Sequence, residues 1–262
     1  MHDPILNIAI EAAKQAGQII VRAMDRLDKI KIAEKNPNDF VTDIDQKAER
    51  AIITTIQKAY PHHTILSEES GEHLGEDADY QWIIDPLDGT RNFIHGFPHF
   101  AVSIAVMHKN KLEYGVIYDP ARQECFTAAR GKGAQLNDRR IRVASRKELH
   151  HCLLGTGFAY RHRDKEAALP AQCLQAIMPI CGDIRRAGAA ALDLAYVACG
   201  RLDGFWEWGL RIWDIAAGVL LVKEAGGLVT DPLGQEDYLQ SGHVVAANPA
   251  VLKQMVKVFK CK

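Results

Sequence analysis

The first sixty residues contain two stretches in which apolar residues recur with the spacing of one helix face. The first face is made of Ile5, Ile8, Ala9, Ala12, Ala13, Ala16, Ile19, Ile20 and Ala23. This 3.6-residue period predicts a long surface helix. The second pattern predicts a helix over about 46–60, with Asp43 or Asp45 as its N-cap. A turn at Asn36-Pro37-Asn38 should separate the two helices.

The next third of the chain has the residue types and spacing of β-strands. Short strands are predicted at 64–66 and 82–84, the second stopped by Asp85-Pro86, with a polar loop over 71–79 between them. Longer apolar runs follow at 101–107, 114–118 and 124–129, with turns between them. We expect these three runs to pair as an antiparallel meander.

From about Ser145 the pattern alternates between helices and strands. Helices are predicted over 167–177, 189–199 and 213–225, and strands over 153–157, 204–208 and 244–247. The chain shows no internal repeat and no low-complexity linker. The sequence therefore predicts one domain over 1–262, with an α+β half at 1–145 packed against an α/β half at 146–262.

Composition and charge argue against several classes of protein. With 32 Lys+Arg and 33 Asp+Glu in 262 residues the net charge is −1, so no global field attracts nucleic acid or an anionic membrane. The longest apolar run, 215–222, is far below the roughly 18 residues of a membrane span. The first residues lack the pattern of a secretory signal, so we expect a cytoplasmic protein. Six cysteines without a C-x-x-C pair argue against zinc and disulfides.

Candidate chemistry is concentrated in the turn Asp85-Pro86-Leu87-Asp88-Gly89-Thr90. Two carboxylates three residues apart, with the Leu87 carbonyl between them, can face a hard cation, and ligation by oxygen alone favours Mg²⁺ or Mn²⁺. The amides of Gly89 and Thr90 would open a helical turn and could cradle a phosphate. The same residue types also make an ordinary surface turn, so the turn by itself leaves both interpretations open.

Three longer motifs surround this turn and resemble those of a known family. The string Trp82-Ile83-Ile84-Asp85-Pro86-Leu87-Asp88-Gly89-Thr90-Arg91-Asn92-Phe93 resembles the first signature of the inositol monophosphatase family. Trp213-Asp214-Ile215-Ala216-Ala217-Gly218 with Glu224-Ala225-Gly226-Gly227 resembles the second signature, and Glu68-Glu69-Ser70 resembles the acidic motif upstream. The motifs keep the family's order, and the similarity runs from the first helix to the last strand. Segments 185–196 and 206–214 look most like the bacterial SuhB-type members.

The resemblance implies a layered α-β-α-β-α sandwich, usually a homodimer, with a metal-dependent site. The implied ligands are Glu68, Asp85 and the Leu87 carbonyl for one Mg²⁺, Asp85, Asp88 and Asp214 for a second, and Glu68 with waters for a third. Glu68 and Thr90 would activate the attacking water, with Asp45 supporting Thr90. The implied substrate positions are the amides of Gly89 and Thr90 for the phosphate, and Asp88, Gly188, Ala190 and Glu207 for the hydroxyls.

The predicted reaction is Mg²⁺-dependent hydrolysis of inositol monophosphate or a related polyol or sugar monophosphate, which the resemblance implies is inhibited by Li⁺. The Glu207 carboxylate suits vicinal hydroxyls better than a second phosphate, which favours a monophosphate. One alternative is a fructose-1,6-bisphosphatase or phosphoadenosine-nucleotide phosphatase of the same superfamily. Another is a SuhB-like role in ribosomal RNA transcription antitermination, with an RNA polymerase complex as the partner.

Some residues are expected to play no part in this chemistry, and the sequence allows two interpretations of Arg91. Arg91 stands where many relatives have a small hydroxyl residue, and it either donates to the phosphate or faces solvent. Gly155-Thr156-Gly157 lacks the third glycine of a dinucleotide loop. The tryptophans at 206, 208 and 213 are expected in the core, and the basic run at 139–142 on the solvent face of a strand.

Overall fold

The strands of this protein form three sheets in the computed structural model, which describes residues 3–36, 39–158 and 168–260. The helices of these residues are α1 (Pro4–Met24), α2 (Asp43–Ala59), α3 (Thr90–Ile94), α4 (Ala168–Ile177), α5 (Ala190–Ala198), α6 (Ile212–Glu224), α7 (Tyr238–Ser241) and α8 (Pro249–Lys260). The strands are β1 (Ile32–Asn36), β2 (Asp39–Thr42), β3 (His63–Ser67), β4 (Gly71–His73), β5 (Asp77–Asp88), β6 (Ala101–His108), β7 (Lys111–Asp119), β8 (Glu124–Ala129), β9 (Gly133–Leu136), β10 (Arg139–Arg140), β11 (Leu153–Thr156), β12 (Asp183–Arg185), β13 (Gly204–Glu207), β14 (Leu228–Thr230) and β15 (Val244–Ala247).

Helices α1 and α2 pack together on one face of an eight-stranded sheet of order β10-β9-β8-β7-β6-β5-β3-β4. The predicted span of α1 is confirmed, and Asp3 caps it by accepting a hydrogen bond from the Ile5 amide at 3.0 Å. The predicted N-cap of α2 is wrong. Thr42 is the N-cap rather than Asp43 or Asp45, because Asp45 at the third helical position accepts from the Thr42 amide in a capping box. Residues 37 and 38 of the predicted turn lie outside the described residues.

Two predictions for the first sheet are corrected by the structure. The predicted loop over 71–79 contains β4 and the start of β5. The predicted strand at 82–84 is the centre of a 12-residue strand that continues through Asp85-Pro86 to Asp88. Strand β3 pairs with β5 in parallel as far as Ile84, and β6 pairs with it antiparallel on the other side as far as Asp88, so β6 carries the strand past the proline. A register shift between Asp85 and Asp88 accommodates Pro86, which has no amide hydrogen to donate.

The predicted meander of β6, β7 and β8 is confirmed, and the two faces of β6 differ in side-chain size. Val102, Ile104 and Val106 of β6 share a core with α1 and α2, whereas Ala101 and Ala105 share a core with α5 and α6. Small residues on the face toward α6 let that helix approach closely at particular points. A β-carbon added at Gly115 of β7, for example, would lie 2.9 Å from the Ala217 carbonyl oxygen of α6.

Helices α5 and α6 lie between this sheet and a five-stranded mixed sheet of order β12-β11-β13-β15-β14. Helices α4 and α8 cover the outer face of the second sheet. The predicted α-β-α-β-α sandwich is therefore confirmed. One core cluster runs from Ile83 in the first sheet through α5 and α6 to Ala246 in the second, so the two predicted halves share a core. The sequence pattern does not predict β12, β14 or α8.

Several smaller expectations concern burial and cysteine state. Trp206 and Trp208 are buried, and both arginines of β10 are exposed, as predicted, whereas Trp213 is only partly buried against the core. The cysteines of the described residues are free thiols. Among the helices that the structure describes, none combines the length and the apolar character needed to cross a membrane. Residue 167, where the fourth helix is predicted to begin, lies outside the described residues.

Candidate active site

Three acidic side chains from different elements meet at one edge of the first sheet. Glu68 directly follows β3, Asp85 lies near the end of β5, and Asp214 lies in the first turn of α6. One carboxylate oxygen from each lies within 4.8 Å of the others. They converge because β3 and β5 are parallel, so both carboxyl ends reach the same edge, and because α6 packs closely on that sheet.

Backbone amides hold three of the acids in fixed orientations. Asp85 Oδ1 accepts a hydrogen bond from the Leu87 amide at 2.9 Å. Asp88 Oδ2 accepts from the Ala191 amide, in the first turn of α5, at 2.7 Å. Asp214 Oδ2 accepts from the Arg211 amide at 2.7 Å. Each bond uses one oxygen of its carboxylate, so the orientation of the second oxygen is set before any ligand arrives.

The electrostatics of this group fit a divalent cation. Burial, followed by the nearby charges of Glu68, Asp88 and Asp214, raises the pKa of Asp85 well above its usual range. Burial and the charge of Asp214 raise the pKa of Asp88 in the same direction. The donor set consists of oxygens alone, which suits a hard cation such as Mg²⁺. A bound cation would offset the repulsion that these pKa shifts express.

The turn after Asp88 is built around a left-handed glycine. Gly89 is the N-cap of α3 with φ +90°, and a β-carbon there would lie 2.9 Å from the His99 carbonyl oxygen, so no other residue fits without strain. The next residue, Thr90, opens α3, and its amide belongs to the first turn, which lacks intrahelical acceptors. The predicted helical start at this turn is therefore confirmed.

Thr90 is joined to Asp45 of α2. The Thr90 hydroxyl lies 2.9 Å from Asp45 Oδ1 and 2.9 Å from the Leu87 carbonyl oxygen, and its hydrogen can point to only one of them at a time. Asp45 Oδ2 accepts from both the amide and the hydroxyl of Thr42. Burial raises the pKa of Asp45, while the hydrogen bonds from Thr42 and Thr90 oppose that shift.

The remaining predicted substrate positions lie across the cleft, in the second half of the chain. Gly188 has φ +92°, and Ala190 is the first residue of α5. The Asn92 side-chain amide ties α3 to this region by donating to the carbonyls of His99 at 2.7 Å and Ala187 at 2.9 Å. Glu207 ends β13 and is 8% exposed; burial, then the charges of Asp193 and Asp214, raise its pKa to about 8.

Two buried acids that the sequence analysis does not single out also lie at this site. Glu49 Oε2 accepts hydrogen bonds from the Ser67 hydroxyl and from the amides of Glu69 and Ser70, so it holds the turn that carries Glu68. Glu49 lies one helical turn after Asp45 on the buried face of α2, and this spacing could have indicated from sequence that it belongs to the site. Asp193 of α5 is 2% exposed, and the only available signal was an acid inside an otherwise apolar helix.

Arg91 is exposed, which agrees with the solvent-facing alternative considered for it from sequence. Its guanidinium carbon lies 5.2 Å from the centre of the Phe40 ring of β2, within the range of a cation–π contact. The Arg91 side chain thereby packs α3 against the two-stranded sheet.

Comparisons with known proteins agree with this architecture. Residues 1–260 match the model of the inositol monophosphatase family. The chain is 54% identical over 262 residues to a Pseudomonas aeruginosa protein named Nus factor SuhB, covering 98% of this chain and 96% of the relative. The structure of extragenic suppressor protein suhB from Bartonella henselae superposes with a TM-score of 0.96 at 44% identity, covering 98% of this chain and 99% of that one. Inositol monophosphatase from Anabaena superposes with a TM-score of 0.87 at 38% identity, covering 98% and 95%.

These relatives and this chain share a layered sandwich of helices and sheets, and both family signatures fall at the acidic cleft of the present structure. The chain belongs to the inositol monophosphatase family.

Proposed function

We propose that this protein is a Mg²⁺-dependent phosphomonoesterase that hydrolyses inositol monophosphate or a related polyol or sugar monophosphate. The observation that carries the proposal is the convergence of Glu68, Asp85 and Asp214 within 4.8 Å, beside the amide-rich turn at Gly89 and Thr90. The homodimer and the cytoplasmic location expected from sequence belong to the same proposal.

The acids of the cleft would hold two or three Mg²⁺ ions, with Mn²⁺ as a substitute. The proposed ligands are Glu68, Asp85, the Leu87 carbonyl, Asp88 and Asp214. The cations would supply a lowered pKa for the attacking water and charge neutralisation for the phosphate and the leaving oxygen. The protein's own part is to orient the ligands, and the amide bonds to Asp85, Asp88 and Asp214 do so.

Glu68, Thr90 and Asp45 would orient and deprotonate the attacking water. Thr90 can take a proton from water only if it passes its own proton on, and Asp45 Oδ1 lies 2.9 Å from the Thr90 hydroxyl to receive it. The amides of Gly89 and Thr90 would bind the phosphate oxygens. Positioning and charge stabilisation of this kind supply most of the catalysis in phosphoryl transfer.

The far side of the cleft favours a hydroxylated substrate. Asp88, Gly188, Ala190 and Glu207 would contact the hydroxyls of the leaving group. A carboxylate accepts from hydroxyls but repels a second phosphate, so the monophosphate is preferred over fructose 1,6-bisphosphate and the phosphoadenosine nucleotide. Metal ligands alone do not separate these substrates, so phosphate release from inositol 1-phosphate should be compared with release from fructose 1,6-bisphosphate and from the phosphoadenosine nucleotide, and should be the fastest of the three.

The test is phosphate release by wild-type protein and by Asp88→Asn. Wild-type protein should release phosphate from inositol 1-phosphate when Mg²⁺ is present, less when Li⁺ is added, and none in EDTA. Asp88→Asn should lower kcat/KM at least about 100-fold, since one ligand charge and one substrate contact are lost together. Asp79→Asn, an exposed acid on the same strand, is the matched control and should retain activity. Undiminished turnover by Asp88→Asn would show the metal assignment to be wrong.

A second candidate function comes from the relatives named Nus factor SuhB, which resemble this chain over 98% of its length. It is a role in transcription antitermination, through binding to an RNA polymerase complex. The Asp88→Asn variant separates the two candidates, because its substitution lies inside the cleft and leaves the outer surface unaltered. If RNA polymerase co-purifies with the catalytically inactive Asp88→Asn variant, a binding role separate from catalysis is supported. If RNA polymerase does not co-purify with the wild-type protein, a binding role is contradicted.

A further inference from the structure

A short turn with two adjacent histidines precedes β11, at the end of the strand that points away from the acidic cleft. Leu149–His151 form one turn of 3₁₀ helix, with Glu148 as its N-cap. Leu149 and the following Cys152 are buried in the core that α4 and α8 cover, whereas Glu148, His150 and His151 are exposed. A 3₁₀ helix has three residues per turn, so side chains three positions apart eclipse each other. This geometry places His151 directly over Glu148.

The exposed side chains of this turn bring three metal-binding groups together. One ligand atom each from Glu148, His150 and His151 lies within 4.8 Å of the other two. Glu148 Oε2 lies 3.5 Å from His150 Nδ1, and the ring centres of His150 and His151 are 3.9 Å apart. Two ligands held at about 2.0–2.1 Å from a tetrahedral ion lie roughly 3.4 Å apart. The separation between Glu148 and His150 already matches this value, and the exposed His151 ring needs only a side-chain rotation to join them.

Hydrogen bonds hold the backbone of this turn in place. The Glu148 carbonyl accepts from the His151 amide at 3.1 Å and from the Cys152 thiol at 3.2 Å. The segment before β12 adds two more bonds, because the Gly182 amide donates to the carbonyls of Leu149 at 3.1 Å and Cys152 at 3.0 Å. With the backbone already fixed, ion binding has to order only the three exposed side chains, which limits its entropic cost.

The turn is separate from the acidic cleft, and its ligands favour a different kind of ion. Strand β11 leads from the turn to Gly157, where an added β-carbon would overlap the carboxylate of Glu207 on the cleft side. From Cys152 to Gly157 the extended chain spans roughly 16 Å. The cleft offers carboxylate and carbonyl oxygens, which suit Mg²⁺. Two imidazole nitrogens and one carboxylate instead suit Zn²⁺ and the neighbouring divalent transition metals.

We propose that Glu148, His150 and His151 form a surface site for Zn²⁺ or a similar divalent transition metal. The two imidazoles bind the ion through nitrogen and Glu148 binds it through one carboxylate oxygen, with water in the fourth position of a tetrahedral ion. A bound ion joins the N-cap of the turn to its last residue and so fixes the entry to β11. The site is independent of the proposed phosphatase function, because none of its ligands belongs to the acidic cleft.

The test is Zn²⁺ binding to the full, untagged chain, measured by calorimetry with Mg²⁺ in excess to occupy the acidic cleft. Wild-type protein should bind Zn²⁺ at this site. His150→Ala, His151→Ala and Glu148→Ala should each weaken that binding at least about tenfold, because even the loss of a group that only supports a metal ligand has an effect of that size. Equal Zn²⁺ affinity in the wild-type protein and the three variants would overturn the site.

His62→Ala is the matched control, since His62 also belongs to an exposed pair of adjacent histidines and a glutamate. His62 Nδ1 lies 3.1 Å from Glu76 Oε2, and the His62 side chain is about as exposed as that of His150. The adjacent His63, however, accepts a hydrogen bond from Trp82 through its own Nδ1. His62→Ala should therefore bind Zn²⁺ like the wild-type protein, and a loss equal to that of His150→Ala would contradict the assignment.

A spectroscopic measurement separates metal ligation from a change in fold. Cu²⁺ also binds imidazole, and its EPR spectrum reports how many ring nitrogens are bound. We expect two nitrogens in the wild-type protein and one in His150→Ala or His151→Ala. Because both side chains are exposed, these variants should keep the wild-type Tm in EDTA and the wild-type rate of Mg²⁺-dependent phosphate release. A wild-type spectrum with fewer than two nitrogen ligands would overturn the two-histidine site.

Discussion

His99 lies directly behind the turn that carries Gly89. Its backbone carbonyl accepts from the Asn92 side chain at 2.7 Å, and its ring is buried edge-on to Tyr196. The ring Nε2 is enclosed and has no hydrogen-bond partner in the described part of the chain. Burial, and then the charge of Arg122, lowers the pKa of His99 to about 4. The folded protein therefore keeps this ring neutral at pH values where an exposed histidine takes up a proton.

This shift predicts a pH dependence of stability. Below about pH 6.5 the unfolded chain binds a proton at His99 and the folded chain does not, so stability falls as pH decreases from 6.5 toward 4. The largest effect, near pH 4, is about 3 kcal/mol of unfolding free energy. His99→Phe should remove that portion of the pH dependence, measured by urea unfolding between pH 7 and pH 4. His95→Gln, at an exposed position, is the control; parallel curves for His99→Phe and wild type would contradict the argument.

At the residue scale, the sequence predicts those site residues whose role follows from a local motif. Asp85, Asp88 and Gly89 lie within one turn, which is compatible with a cation and phosphate site or with an ordinary surface turn until the family resemblance favours the site. Glu49 and Asp193 could not be predicted in the same way, because their roles arise from contacts with segments about 20 and 40 residues away. A helix pattern gives no indication of which distant turn or strand will face a buried acid.

Among the elements, α2 supports the site through two acids on its buried face. Asp45 holds Thr90, and one helical turn later Glu49 holds the turn from Ser67 to Ser70. Because that turn carries Glu68, the orientation of a proposed metal ligand depends on a residue that contacts neither metal nor substrate. Glu49 is in this sense a positioning residue.

Glu49→Ala should therefore affect both stability and the metal site. It leaves the Ser67 hydroxyl and two amides without their acceptor, which should lower the unfolding free energy by about 2–3 kcal/mol. It should also lower kcat and weaken Mg²⁺ binding at least tenfold, because Glu68 is no longer held. Glu49→Gln keeps one acceptor oxygen and should fall between Ala and wild type, while Glu72→Gln, exposed in β4, should match wild type. A destabilised Glu49→Ala with wild-type Mg²⁺ affinity would limit Glu49 to a structural role.

The elements that the sequence predicts well are those with a long periodic pattern. Helices α1, α2, α5 and α6 and the three strands of the meander fall where they are expected. Strands β4, β12 and β14 have three residues each, which is too short for a period-2 pattern to stand out. Strand β5 continues past Pro86 because β6 still pairs with it at Asp88, and a local turn signal carries no information about that neighbour.

Across the whole molecule, the acidic cleft lies where the first sheet meets the central helical layer. Glu68 directly follows a strand of the sheet, Asp85 lies in the sheet and Asp214 belongs to α6, so mutual repulsion acts across the contact between two layers. A net charge of −1 conceals this local excess of acid. A cation bound between the three carboxylates would turn repulsion between the layers into attraction, so ion binding and global stability should be coupled.

This coupling predicts opposite effects of one substitution with and without Mg²⁺. At a Mg²⁺ concentration 100 times its Kd, binding adds about 2.7 kcal/mol, or roughly 5 °C in Tm for a chain of this size. In EDTA, the Asp85→Asn variant should have a higher Tm than the wild-type protein, since one repelling charge is lost. Added Mg²⁺ should raise the Tm of this variant much less than it raises the Tm of the wild-type protein. The comparison uses Mg²⁺ rather than Zn²⁺ because the exposed group of Glu148, His150 and His151 offers nitrogen ligands to softer ions. Asp79→Asn should behave like wild type in both conditions, and an equal Mg²⁺-dependent rise in wild type and Asp85→Asn would place the stabilising ion elsewhere.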